Sequence, residues 1–247
     1  GRRRRMATFA GSDPNPNPKP RPGEGMIDIG ANLLDPMFQG CYHGSQKHEP
    51  DLHHVLARAF DDAQAHPLAA VLVTASNLEE SLDAMALCGG PADASPNPDA
   101  AAAAAELDPY RARLYHTMGV HPTCSDEFFS DDADGPQGHL AKLREAVGAG
   151  VAAGKCIAIG EAGLDYARLH FASKERQLDG FALQLGLAEE TKLPMFLHNR
   201  DTEGDFERIM RENRGRIRGG VVHSFTGSLA EARALVDLDL YIGVNGC

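Results

Sequence analysis

The segment KCIAIGEAGLD (residues 155–165) decides the fold, because an almost uninterrupted apolar run of this length is typical of a strand buried on both faces. Six similar runs follow the same pattern: MIDIGAN (26–32), AAVLVTASN (69–77), LYHTMGVHP (114–122), PMFLHNR (194–200), GGVVHSF (219–225) and LYIGVNG (240–246). Several of the longer segments between them repeat apolar residues at helical spacing. The alternation predicts an α/β fold in which βα units wind into a parallel sheet or barrel.

Two serines mark expected helix starts between these strands. Ser76 is followed three residues later by Glu79, and Ser228 by Glu231. A serine followed at this spacing by a glutamate is typical of a capping box, in which both side chains accept hydrogen bonds from backbone amides of the first turn. The sequence therefore predicts capping boxes at both places.

Composition excludes several classes of protein. The chain has 247 residues, of which 43% are hydrophobic, and no stretch approaches the roughly 18 consecutive apolar residues of a membrane span. No leader with a cleavage site opens the chain, so neither a membrane partner nor classical secretion is expected. The five cysteines are scattered without C-x-x-C spacing, which argues against a disulfide framework and a cysteine zinc site. We expect an intracellular protein, in the nucleus or the cytoplasm.

The charge is unevenly distributed along the chain. The net charge is −11, although the Pro- and Arg-rich residues 1–25 are basic. We predict that this segment is a disordered tail and that residues 26–247 form the barrel domain. Because affinity for a polyanion comes mainly from basic side chains, an acidic domain can bind nucleic acid only with metal ions or a local basic rim.

Polar side chains follow several of the predicted strands. Glu161, His198 and His223 come from three strand ends that lie about one βα unit apart. The carboxyl ends of barrel strands meet at one mouth, so these three side chains could converge on a divalent metal ion. Alternatively, each histidine could be a buried side chain bonded to a backbone carbonyl. His121, at another strand end, could contact a phosphate, a neighbouring carboxylate or only its own loop.

Common catalytic motifs are missing from the sequence. It contains no G-x-x-x-x-G-K-[ST], no strand-bound G-x-G-x-x-G, no G-x-S-x-G and no H-E-x-x-H. Phosphate-loop, dinucleotide-binding and serine-hydrolase chemistries are therefore not expected.

A family resemblance is carried by IDIGANLLD (27–35), GVHPT (119–123), AIGEAGLDY (158–166), LPMFLHNR (193–200), GGVVHSFTG (219–227) and LYIGVNG (240–246). Together these motifs resemble those of the TatD-type metal-dependent deoxyribonucleases. The resemblance implies a TIM-like (β/α)8 barrel, with a metal site at Glu161, His198 and His223 and with Glu161 as a catalytic residue. It also implies that His121 and Arg200 line a mouth that binds phosphate or DNA.

The sequence departs from the family pattern at both ends of the domain. Relatives that open with D-x-H-x-H have metal-binding histidines where Gly30 and Asn32 stand here, so the chain resembles the D-I-G-x-N subgroup and neither residue is given a metal role. The family's eighth strand, reading roughly E-T-D-A-P with an aspartate ligand, has no counterpart before Cys247. We expect a barrel truncated after its seventh strand.

The resemblance implies hydrolysis of DNA phosphodiester bonds, with the 3′–5′ exonuclease direction that the family suggests. Two alternatives stay open: a metal-dependent hydrolase of another ester or amide, and an inactive truncated member. The expected cofactor is a divalent ion, Mg²⁺ first, with Mn²⁺ or Zn²⁺ as alternatives, and the expected partner is DNA. The sequence makes no prediction of oligomeric state.

Overall fold

The computed structural model describes residues 25–64, 66–90, 97, 105–130 and 135–245. The predicted tail lies outside the described residues except for Gly25. The strands are β1 (Met26–Ala31), β2 (Cys41–Tyr42), β3 (Ser45–Gln46), β4 (Leu68–Val73), β5 (Leu114–Met118), β6 (Cys156–Asp165), β7 (Met195–Arg200), β8 (Gly220–Val222) and β9 (Tyr241–Ile242). The longer α-helices are α1 (Leu52–Ala59), α2 (Leu78–Cys88), α3 (Gly135–Ala152), α4 (Lys174–Thr191), α5 (Asp205–Asn213) and α6 (Leu229–Asp237).

Seven strands form one parallel sheet in the order β1-β4-β5-β6-β7-β8-β9. Each lies within or against one of the seven predicted apolar runs, and the predicted α/β barrel class is confirmed. Among the described residues β1 and β9 are the edges of this sheet, so the barrel is open between them. The antiparallel β2–β3 hairpin was not predicted, because two-residue strands are too short to show a periodic pattern.

The main hydrophobic core lies between the sheet and the helices that follow β5, β6 and β7. Phe128, Phe181 and Phe206 are buried there, and the rings of Phe181 and Phe206 stack with centroids 5.7 Å apart. A smaller cluster of Leu72, Ala158 and Phe196 packs separately. Phe196 and His198 share one face of β7, so this cluster forms an apolar floor beneath the polar strand ends.

One of the two predicted capping boxes is confirmed and the other is displaced by one residue. Ser228 and Glu231 form the expected reciprocal pair at the start of α6. At α2 the cap is Asn77, whose side chain accepts from the Glu80 amide at 2.7 Å, while Glu80 accepts from the Ser76 amide at 2.8 Å. Asn is as good a cap as Ser, and Glu79 and Glu80 both offer a carboxylate, so the sequence alone did not fix the position.

We predict that His116 makes the fold sensitive to acid. His116 is fully buried in β5, where burial lowers its pKa from 6.5 to about 4. Between these two pH values the unfolded chain binds more protons than the folded chain, so acidification should lower the free energy of unfolding, by about 3 kcal/mol at pH 4. Urea unfolding at pH 7, 5 and 4 would measure this loss. The loss should shrink in a His116→Leu variant and persist in a variant of the exposed His66, His66→Leu.

Candidate metal centre

The irregular path of β6 brings Glu161 into the barrel mouth. The pairing register of β6 with β7 shifts between Ile159 and Ala162, on either side of Glu161. The Glu161 amide donates to the Ala75 carbonyl, just beyond the end of β4, at 3.2 Å. An irregularity of this kind re-aims the side chain that it contains. Glu161 therefore reaches the place where the neighbouring strands end.

The next two strands place their histidines against this carboxylate. His198 Nδ1 lies 2.9 Å from Glu161 Oε1, and His223 Nε2 lies 2.5 Å from the same oxygen. The His223 ring also stacks on Phe196, with centroids 4.5 Å apart. The structure thus brings together the three side chains that the sequence predicted to converge.

The pKa values of this cluster follow from burial opposed by close pairing. Burial raises the pKa of Glu161, but the hydrogen bonds from His198 and His223 outweigh it and hold the pKa well below its usual range. For His198, burial lowers the pKa, and hydrogen bonds to Asp165 and Glu161 reverse the shift, so the pKa is raised. The centre therefore contains an ionised carboxylate that attracts positive charge.

His121 adds a fourth side chain, in an orientation suited to donating a hydrogen bond. Its Nε2 lies 3.5 Å from Glu161 Oε1 and 3.3 Å from His198 Nδ1. Its Nδ1 accepts from the Thr123 amide at 3.2 Å, so the proton of the neutral ring is assigned to Nε2. Burial lowers the pKa of His121 to about 4, which keeps the ring neutral at pH 7. His121 therefore faces the centre as a donor to an anionic oxygen.

Asp165 belongs to the centre, although sequence reasoning gave it no role. It is fully buried at the end of β6, and its Oδ2 lies 3.2 Å from His198 Nε2. Its Oδ1 has no hydrogen-bond partner among the described residues. A carboxylate behind a ligand histidine orients the ring and strengthens its donor nitrogen. Its position four residues after Glu161 on one strand was the feature that could have revealed it.

A cleft of about 300 Å³ opens over these side chains. Its lining includes Asn32, Ser76, Thr123 and Arg168 beside His121, Glu161 and His223. Arg200 does not line it; that residue lies exposed at the end of β7. The cationic side chain in the cleft is Arg168, whose Nε lies 3.7 Å from Asp165 Oδ2.

The donor set fits a divalent cation. Potential ligand atoms of His121, Glu161 and His198 lie within 4.8 Å of one another, and His223, directly after β8, contacts Glu161. Because its proton is on Nε2, His121 faces the ion position as a hydrogen-bond donor, which leaves Glu161, His198 and His223 as the candidate ligands. Imidazole nitrogens and a carboxylate are common ligands of Zn²⁺ and similar ions. The buried Asp165 oxygen without a partner adds negative potential that a cation would offset.

Comparison with known proteins assigns the chain and its fold to a family. The sequence model described as "TatD related DNase" matches residues 28–247. The chain belongs to the TatD family. It is 38% identical over 221 residues to "Deoxyribonuclease Tat-D" of Schizosaccharomyces pombe, covering 89% of this chain and 63% of the relative. It is 31% identical to "3'-5' ssDNA/RNA exonuclease TatD" of Enterobacter lignolyticus, covering 90% of this chain and 67% of that relative.

A solved structure of a TatD family hydrolase from Entamoeba histolytica shares the fold, with a TM-score of 0.71 and 31% identity. The alignment covers 89% of this chain and 64% of that one. The chain thus spans about two thirds of the length of the TatD proteins that it matches.

Within this TatD barrel, Gly30 and Asn32 both line the cleft from the side of β1. Their assignment to a D-I-G-x-N subgroup stays a prediction. No helix among the described residues is long and apolar enough to cross a bilayer.

We predict that Asp165→Asn weakens metal binding without unfolding the protein. The neutral amide keeps the size of the side chain but removes the charge that orients the His198 ring. The affinity for Mn²⁺ or Zn²⁺ should fall about 10- to 100-fold, measured by isothermal titration calorimetry. The matched variant Asp179→Asn, at an exposed position on α4, should bind as the unmodified chain does. Equal affinities for the two variants would contradict a role for Asp165 behind His198.

Proposed function

We propose that this TatD-family protein hydrolyses phosphodiester bonds of DNA with a divalent ion held by Glu161, His198 and His223. One observation carries the proposal: His198 and His223, which come from the two strands after β6, both contact the same carboxylate oxygen of Glu161. The names of the yeast and bacterial relatives support a nuclease, and the bacterial name supports the 3′–5′ direction. Because the chain spans part of these relatives, the activity of the whole protein is part of the proposal.

Each side chain has a role in this chemistry. A bound divalent ion would lower the pKa of a coordinated water and polarise the phosphoryl group. Glu161 supplies the negative charge that holds the ion, and Asp165 orients the His198 ring. His121 offers an Nε2 proton to a phosphate oxygen, and Arg168 places a guanidinium in the cleft. We propose that Arg200, exposed at the end of β7, contacts the DNA backbone outside the cleft.

We propose DNA as the substrate and an intracellular location, nuclear or cytoplasmic. The described cysteines Cys41, Cys88, Cys124 and Cys156 are all free, which supports a reducing compartment. The overall negative charge supports a centre in which cations, and not surface basic residues, neutralise the phosphate at the point of cleavage.

The identity of the ion is a further prediction. Mg²⁺ is the ion expected first from the sequence, yet Mg²⁺ prefers oxygen ligands, whereas imidazole suits Zn²⁺ and other transition metals. Because two of the three proposed ligands are histidines, the chain should bind Zn²⁺ and Mn²⁺ more tightly than Mg²⁺. Calorimetric titrations of the metal-free protein would then give lower Kd values for Zn²⁺ and Mn²⁺. Nuclease rates with each ion at saturation would then show which one supports turnover. Tighter binding of Mg²⁺ would contradict ligation by the imidazoles.

We predict that Glu161→Gln abolishes both metal binding and DNA hydrolysis. Glutamine has the same shape but lacks the charge that holds the cation, so the rate on 5′-labelled single-stranded DNA should fall more than about 100-fold. The control Glu145→Gln changes an exposed glutamate on α3 and should leave both unchanged.

The same pair of variants separates the alternative chemistries. A chain that hydrolyses p-nitrophenyl acetate in a Glu161-dependent manner but leaves DNA intact would replace the nuclease proposal with an esterase. A chain that binds metal but cleaves neither substrate would support the inactive alternative. Unchanged metal content and activity in Glu161→Gln would remove Glu161 from the centre.

A further inference from the structure

The connection from β6 to α4 exposes apolar and aromatic side chains beside the metal centre. Leu169 is 44% exposed and Phe171 is 59% exposed, and His170 between them is exposed as well. The rings of His170 and Phe171 lie side by side, with centroids 4.3 Å apart and planes tilted by 40°. We call Leu169–Phe171 the ring platform. Single exposed apolar residues are ordinary, but a contiguous group next to a cleft indicates a contact surface.

The ring platform is held in place at both ends by one buried side chain. The Gln177 amide nitrogen donates to the carbonyls of Asp165 at 2.9 Å and Ala172 at 3.0 Å. Its side-chain oxygen accepts from the Asp165 amide at 2.7 Å, and Gln177 is fully buried. These hydrogen bonds fix the backbone on both sides of the platform, so its side chains are exposed on an ordered connection. A surface ordered in advance loses little conformational entropy when it binds a ligand.

The same turn of chain joins the ring platform to the cleft. Arg168 lines the cleft together with Glu161 and His223, and its carbonyl accepts from the Phe171 amide at 3.1 Å. A guanidinium inside the cleft and an aromatic ring outside it are thus three residues apart. A strand of nucleic acid presents the matching pair of groups, a phosphate and an adjacent base.

We propose that the ring platform stacks an unpaired base of a single-stranded nucleic acid whose backbone phosphate lies in the cleft near Arg168. The inference rests on the proposed nuclease function and adds to it the residues of this chain that would hold an unpaired base. In a duplex both faces of a base are covered by its neighbours, so an aromatic platform selects a base that has left the stack. The platform lies beside a cleft suited to phosphate, which favours nucleic acid over a protein partner.

The chain contains no tryptophan, so Phe171→Trp introduces a single fluorophore at the platform. The variant is combined with Glu161→Gln, which prevents cleavage and removes a negative charge from the cleft. The probes are a single-stranded oligodeoxynucleotide and an abasic oligonucleotide with the same number of phosphates. We expect the first to quench the fluorescence and the second to leave it unchanged. The matched control is Tyr241→Trp, at a 76% exposed position where β9 begins, away from the mouth, and it should respond to neither.

A kinetic measurement on the active chain tests the same contact. Base–aromatic stacking is lost in Phe171→Ala, so the KM for single-stranded DNA should rise about tenfold with little change in kcat. The difference should disappear on an oligonucleotide with abasic sites near the cleaved end. Phe171→Tyr, which keeps the ring, should restore the KM.

The outcomes separate this inference from the function on which it rests. If the chain cleaves single-stranded DNA but neither fluorescence nor KM responds at Phe171, the stacking inference is wrong and the nuclease proposal stands. Equal quenching by the abasic probe would show a backbone contact and would also overturn stacking. Base-dependent quenching in a protein that hydrolyses no DNA with any divalent ion would retain the platform and remove the nuclease proposal. No binding and no cleavage would refute both.

Discussion

The centre depends on one electrostatic constraint, the ionised carboxylate of Glu161 in a largely buried position. Burial alone would favour its neutral form, so the chain must supply compensating groups within hydrogen-bond distance. It does so with His198 and His223, one from each of the two following parallel strands. Because β6, β7 and β8 are neighbours in the sheet, Glu161, His198 and His223 lie side by side at the mouth. A parallel barrel suits this arrangement, since the carboxyl ends of all its strands face one mouth.

Much of this arrangement could be predicted from the sequence. Each strand of the seven-stranded sheet corresponds to an apolar run, and the spacing of Glu161, His198 and His223 by about one βα unit suggested that they could converge. The family resemblance was needed to choose a metal site over buried histidines bonded to backbone carbonyls. The sequence placed Glu161 at a strand end, whereas it lies in the middle of β6 and reaches the mouth through a register shift. Asp165 was harder to assign, because its role depends on which nitrogen of His198 faces it, and sequence does not encode a ring orientation in any readable form. The displaced cap at Asn77 has a similar cause, since adjacent residues offered equivalent chemistry.

Two arginines near the mouth differ in whether they line the cleft: Arg168 does and Arg200 does not. Arg200 is the last residue of β7, where it pairs in register with Asp165 of β6, and its side chain is exposed. Arg168 lies outside any strand, at the end of a short 3-10 helix (Tyr166–Arg168) that no periodicity predicts, yet it lines the cleft. The guanidinium that lines the cleft thus comes from a connection, where the backbone is free of the sheet's alternation.

Gln177 links the stability of the fold to the geometry of the site. Its buried amide makes hydrogen bonds to three backbone groups, two of Asp165 at the end of β6 and one of Ala172 before α4. The backbone of Asp165 is fixed by this contact, and the Asp165 carboxylate in turn fixes the His198 ring against Glu161. The connection that carries Arg168 and the ring platform begins at the same residue. One glutamine side chain therefore helps to set the position of the candidate metal ligands, through Asp165, and of the surface beside them.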